Sequence, residues 1–77
     1  MDIKVRGYGL LADVIGSHEI QVNGVQDTDS LHKYLLAQYK ELGSRQFVMA
    51  VKNKIIKEAH ELSDGDVIAL LPPFSGG

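Results

Sequence analysis

Asp27-Thr28-Asp29-Ser30-Leu31-His32-Lys33-Tyr34-Leu35-Leu36-Ala37-Gln38-Tyr39-Lys40-Glu41-Leu42-Gly43 is the stretch on which the fold turns. Leu31, Leu35, Tyr39 and Leu42 fall three or four residues apart, with Tyr34 and Gln38 alongside, so they line one stripe of a helix. Asp27, Thr28 and Asp29 are all suited to cap its start, because a short side-chain oxygen can accept from a free N–H of the first turn. Gly43 is the expected stop. The spacing predicts a helix from Thr28 to Leu42, with Leu31, Leu35 and Tyr39 buried.

Working outward, the flanking segments read as strands. On the N-terminal side, Met1 to Tyr8 alternates, with Ile3, Val5 and Gly7 on one side and Lys4, Arg6 and Tyr8 on the other. Gly9 breaks this strand. Leu10 to Ile15 suits a single helical turn, stopped by Gly16. His18 to Val22 alternates again, and Asn23-Gly24 ends it with turn chemistry. On the C-terminal side, Phe47 to Val51 is a continuous apolar run, as in a strand covered on much of both faces. Asn53-Lys54 is the expected turn into a short Ile55-Ile56 strand. Ser63-Asp64-Gly65-Asp66 is a polar turn, with the two aspartates as turn formers. Val67 to Leu71 is the last strand, and Pro72-Pro73 ends it because proline donates nothing to a ladder.

One helix on a mixed sheet is an α+β layer. A ubiquitin-like β-grasp is a member of that class, and element order by itself leaves other small α+β folds open. With one helix, only one sheet face is covered. Alternation sends Ile68 and Leu70 one way and Val67, Ala69 and Leu71 the other. Ile68 and Leu70, with Ile3 and Val5, are expected in the core. Val67, Ala69 and Leu71 are expected on the open face, joined by Val48 and Ala50 or by their alternates. An apolar open face suggests a partner.

Composition narrows the function classes. The chain has 77 residues, room for one domain. Its 8 basic and 10 acidic residues are dispersed, with no basic block to neutralise phosphates, so nucleic-acid binding has no electrostatic support. The absence of cysteine removes disulfides, thiolate metal sites and thiol catalysis. His18, His32 and His60 share no ligand spacing, so no metal site is expected. Gly7-Tyr8-Gly9 lacks the third glycine and helix start of a dinucleotide loop. Lys52, Lys54 and Lys57 suit a solvated edge that discourages strand pairing, with a docking role as the alternative. The opening MDIKVRGYG has no apolar run of signal-peptide length, and no membrane and a cytoplasmic location are expected.

The stretch from Leu62 through Asp64-Gly65-Asp66, Val67-Ile68-Ala69-Leu70-Leu71 and Pro72-Pro73-Phe74-Ser75-Gly76-Gly77 resembles the C-terminus of the MoaD family. That family is the small sulfur-carrier subunit of molybdopterin synthase, within the ubiquitin-like ThiS/MoaD superfamily. Met49-Ala50-Val51 and the Val14-Ile15-Gly16 stop also sit at the places expected of it. Two departures stand out: Lys52 intervenes between the Ala-Val pair and Asn53, and Gly7-Tyr8-Gly9 replaces bulkier apolar residues.

The resemblance implies a β-grasp domain over residues 1–73 and a flexible Gly-Gly tail over residues 74–77. It implies a sulfur carrier in molybdenum cofactor biosynthesis. In this scheme the Gly77 carboxylate is adenylated, then converted to a thiocarboxylate that donates sulfur to a cyclic pyranopterin precursor. Gly77 would be the reactive residue. Gly76, Ser75, Phe74, Pro73, Leu71, Ala69 and Val67 would bind the partners. Those partners would be a MoaE-like large catalytic subunit, in a hetero-oligomer, and a MoeB-like adenylating enzyme of the ubiquitin-activating type. No cofactor would be bound; ATP would be consumed by the adenylating enzyme, and the chain would act as the non-catalytic, sulfur-donating co-substrate. The residues fit that task. Glycine has no Cβ, so Gly76 and Gly77 can thread a narrow channel. Pro72-Pro73 keeps the tail's base extended and lowers the entropy lost on insertion. Phe74 offers an apolar anchor. The alternatives are a carrier for thiamine or another thiolated product, whose Gly-Gly tails usually lack Pro-Pro, and a ubiquitin-like protein modifier or binding module.

Overall fold

Alternation along the first strand, β1 (Asp2–Gly7), puts Ile3, Val5 and Gly7 inside and Asp2, Lys4 and Arg6 outside. The structure, a computed structural model, describes residues 2–72. A short helix, α1 (Leu10–Ile15), follows and closes at Gly16, whose φ of 79° is the left-handed cap conformation. Then come β2 (Glu19–Asn23) and the main helix α2 (Thr28–Gln38). A 3-10 turn over Lys40–Ser44 leads to β3 (Val48–Val51), β4 (Lys54–Ile56) and β5 (Val67–Leu71).

The strands form one five-stranded sheet in the order β2-β1-β5-β3-β4. β1 and β5 run parallel; the other neighbours are antiparallel. The last strand therefore lies at the centre, flanked by β1 and β3. The core between α2 and the sheet has Ile3, Val5, Leu31, Leu35, Ile68 and Leu70 at 0% exposure, as the sequence reading expects of these six.

The start of α2 is fixed by Asp27, whose Oδ1 accepts from the Ser30 N–H at 2.7 Å. Thr28 is buried; its hydroxyl accepts from the His60 N–H and its own N–H donates to the His60 carbonyl, both at 2.9 Å. These bonds tie the helix to the long β4–β5 connection. The Ser63–Asp66 turn is built as its residues suggest. Asp66 Oδ2 accepts from the Ser63 N–H at 2.8 Å, and Asp64 Oδ1 accepts from the Asp2 N–H at 2.7 Å.

The end of the main helix and the β3–β4 turn differ from the sequence reading. The α-helix ends at Gln38, not Leu42, because Tyr39 leaves helical space at φ −127°, ψ 89°. The chain then tightens into the 3-10 turn, which carries Leu42 to 1% exposure and takes Tyr39 out of the buried row. Tyr39 is only half-buried, and Gly43 lies within the turn rather than ending the helix. The β3–β4 turn is Lys52-Asn53, not Asn53-Lys54. Val51 pairs with Lys54, so only two residues remain for the loop. Both have positive φ, 52° and 66°, as a hairpin loop twisted to match its strands requires.

Candidate functional site

The open face of the sheet follows from side-chain parity. Ile68 and Leu70 point under α2, which leaves Val67, Ala69 and Leu71 on the other side, as expected. Register extends that row in both directions. Ala50 is opposite Ala69 and Val48 opposite Leu71, so both β3 residues share the open face. Ile55 is opposite Ala50 and is 42% exposed. On the other flank Lys4 aligns with Val67 and Arg6 with Ala69.

Together these residues floor a shallow concavity of about 540 Å³. Val67, Ala69, Leu71, Ala50 and Ile55 supply apolar surface; Arg6, Tyr8, Lys52 and Asn53 form the rim. The small side chains of Ala50 and Ala69, side by side on adjacent strands, make the floor low. Val67 at 37% and Tyr8 at 46% are exposed on the same surface.

The rim's charge is arranged in a definite way. Arg6 Nε donates to Glu19 Oε2 at 2.9 Å across the β1–β2 register. That bond holds the Glu19 carboxyl below its ordinary range and raises Arg6 further. Both groups are exposed, so the pair shapes the border of the face more than it stabilises the fold. Among the described residues no cluster of three metal-ligating side chains occurs. His18, His32 and His60 are exposed and lie on separate elements, His32 edge-on to Phe47 at 5.4 Å between ring centres. No helix among the described residues is long and apolar enough to cross a membrane.

Pro72, exposed, follows directly from central strand β5 at the edge of the same surface. Pro73, Phe74, Ser75, Gly76 and Gly77 lie outside the described residues. The structure thus brings Val67, Ala69 and Leu71 together and adds Ile55, Arg6 and Tyr8, which sequence reasoning did not place at the site, and Lys52. The parity of Arg6 and Tyr8 was readable in β1. Ile55 was not, because an Ile-Ile pair gives no alternation and its face depends on the β3–β4 register.

The family model described as "ThiS family" matches residues 5–77. A chain of the Helicobacter pylori protein–protein complex of subunits 1 and 2 of molybdopterin-converting factor is 30% identical, with 100% of each chain covered and a TM-score of 0.72. Two further solved structures share the fold. A Pyrococcus furiosus molybdopterin converting factor, subunit 1, is 20% identical over 96% of this chain and 99% of that one, with a TM-score of 0.82. The small archaeal modifier protein 1 of Haloferax volcanii is 19% identical over 95% of this chain and 98% of that one, with a TM-score of 0.79. One main helix on a five-stranded mixed sheet with β5 central is the ubiquitin-like β-grasp, and with the match running from Val5 to Gly77 this chain belongs to the ThiS family.

Proposed function

We propose that this protein carries sulfur for molybdopterin synthesis on the backbone carboxylate of Gly77. The observation that carries this reading is the 30% identity, over the whole of both chains, to a chain of the complex of the two molybdopterin-converting factor subunits. The Pro72-Pro73 exit and the Gly76-Gly77 end support it. In the first step a Gly77 carboxylate oxygen attacks the α-phosphorus of ATP and pyrophosphate leaves. Hydrosulfide then attacks the activated carbonyl and AMP leaves, giving the thiocarboxylate. The sulfur passes to the pyranopterin precursor on the large subunit, and water returns Gly77 to a carboxylate. Val67, Ala69 and Leu71 seat the domain on that subunit, while Pro73, Phe74, Ser75 and Gly76 lie along the path to its active site. The domain supplies no acid or base; its contribution is to hold one reacting atom in place.

The test uses the full chain with its cognate adenylating enzyme, ATP and a sulfide source, followed by intact-mass and peptide analysis. The expected result is exchange of one oxygen for sulfur, mapped to Gly77. Deleting Gly77, or adding one residue after it, should abolish molybdopterin formation with the large subunit while leaving the melting temperature unchanged. An added residue displaces the reacting atom by about 3.3–3.6 Å, and a misplacement of about 1 Å already costs about 100-fold. Formation of molybdopterin by the extended chain, without trimming, would overturn the assignment. Thiolation of Gly77 with transfer only to a thiazole precursor would move the protein to thiamine synthesis.

A further inference from the structure

We propose that Lys52 is a specificity-determining residue of the open sheet face, pairing with an aspartate or glutamate on the large catalytic subunit beside the apolar group that fills the concavity. The inference rests on the reading of that face as the subunit's docking surface, and it adds the charge chemistry of the partner.

Three observations converge on Lys52. The first is its backbone. Lys52 opens the two-residue β3–β4 loop with φ 52°, in the left-handed region. Asparagine and aspartate tolerate that region because their short side chains bond locally; lysine has no such help. The following residue, Asn53 at φ 66°, is the kind the loop favours. Local strain at a position where a commoner turn residue would serve points to a role outside the fold.

The second is place. Lys52 lines the concavity with Ile55 and Val67, the two most exposed apolar groups of its floor. The third is charge. Arg6, on the opposite rim, is paired to Glu19. The other ion pair among the described residues, Arg45 with Glu41, does not line the concavity. Among the residues that line the concavity, Lys52 is therefore the cation without an ion pair to a described carboxylate; Lys4, aligned with Val67, lies outside that lining. An apolar floor with one open positive charge at its border selects a partner with an apolar projection and a neighbouring carboxylate. Such a charge steers encounter and rejects partners with a cation at the same spot.

The experiment measures association of the full chain with the large molybdopterin synthase subunit of the same organism, by stopped flow across ionic strength. Lys52→Asn should raise the melting temperature, since the loop relaxes, yet slow association about 2- to 5-fold at low salt, the scale of a lost exposed ion pair. Lys52→Glu should slow it about tenfold or more, as like charges meet. Lys52→Arg should associate like the parent chain. All differences should fade in about 1 M salt, where the Debye length is about 3 Å. Ala69→Arg, on the floor, serves as the control for the face itself. If Ala69→Arg abolishes binding in a folded protein while Lys52→Glu associates at the parent rate, the role of Lys52 is refuted and the docking face stands. Unchanged binding by folded Ala69→Arg refutes the face and this inference with it. A melting temperature lowered by Lys52→Asn would refute the argument from the loop.

Discussion

Gly7 shows how one missing Cβ sets the packing of α1 on the inner side of β1. A Cβ built there would lie 2.9 Å from the Ala12 amide nitrogen and 3.0 Å from the Ala12 Cα, both backbone atoms of α1. The departure from bulkier residues at Gly7-Tyr8-Gly9 thus has a steric cause: α1 packs directly on the end of β1. Backbone cannot rotate aside as a flexible side chain can. Gly7→Ala should therefore destabilise the domain by about 1–3 kcal/mol, as overpacking does, measured by urea denaturation. Gly9→Ala offers a contrast, since nothing lies within 4 Å of its Cβ and only its φ of 60° is at stake. From sequence, Gly7-Tyr8-Gly9 read only as the end of a strand. The contact with Ala12 joins residues whose packing no local pattern encodes.

At the scale of elements, the helix cap makes stability depend on pH. The Ser30 amide donates to Asp27 and holds its carboxyl below the ordinary value of 3.8. A carboxyl lowered in the folded state binds its proton more weakly there than in the unfolded chain. Its stabilisation is therefore fully present above that ordinary value and is lost as pH falls through the lowered folded value. Glu19, lowered by Arg6, acts in the same direction. Asp27→Asn keeps an acceptor at the cap and should keep most of the neutral-pH melting temperature while flattening its fall in acid. Parallel thermal melts of the two proteins between neutral and strongly acidic pH check this. The cap was legible because Asp, Thr and Asp precede the apolar stripe, and the start of α2 was read correctly at Thr28. Its end was not. The stripe 31, 35, 39, 42 is equally consistent with one long helix and with a helix followed by a 3-10 turn, and only the path to β3 decides between them. The Lys52-Asn53 loop was misplaced for a related reason, since a two-residue hairpin is defined by the pairing of Val51 with Lys54 across it.

For the molecule as a whole, a domain of this size rests on few side chains. Leu35 is fully buried between α2 and the sheet. Leu35→Ala should cost about 2–5 kcal/mol, against a total near 4–12 kcal/mol for about 0.05–0.15 kcal/mol per residue. Chemical denaturation should show a large loss of midpoint with the fold still formed at low temperature. Fold class, the buried set apart from Tyr39, and the apolar side of β5 were readable from period and parity. The full lining of the concavity was not, because it gathers Arg6 of β1, Lys52 of the β3–β4 loop and Ile55 of β4, which meet only through sheet order. The central place of β5 between β1 and β3 has a mechanical consequence. A pull on the C-terminus runs along a strand gripped on both edges, parallel to β1 and antiparallel to β3. Its ladder bonds are loaded sideways and together, rather than opened one after another from an end. An enzyme that grasps the chain beyond Pro72 can therefore tug on it as on a rope tied to the middle of a net, and the tension spreads across the sheet without unravelling it.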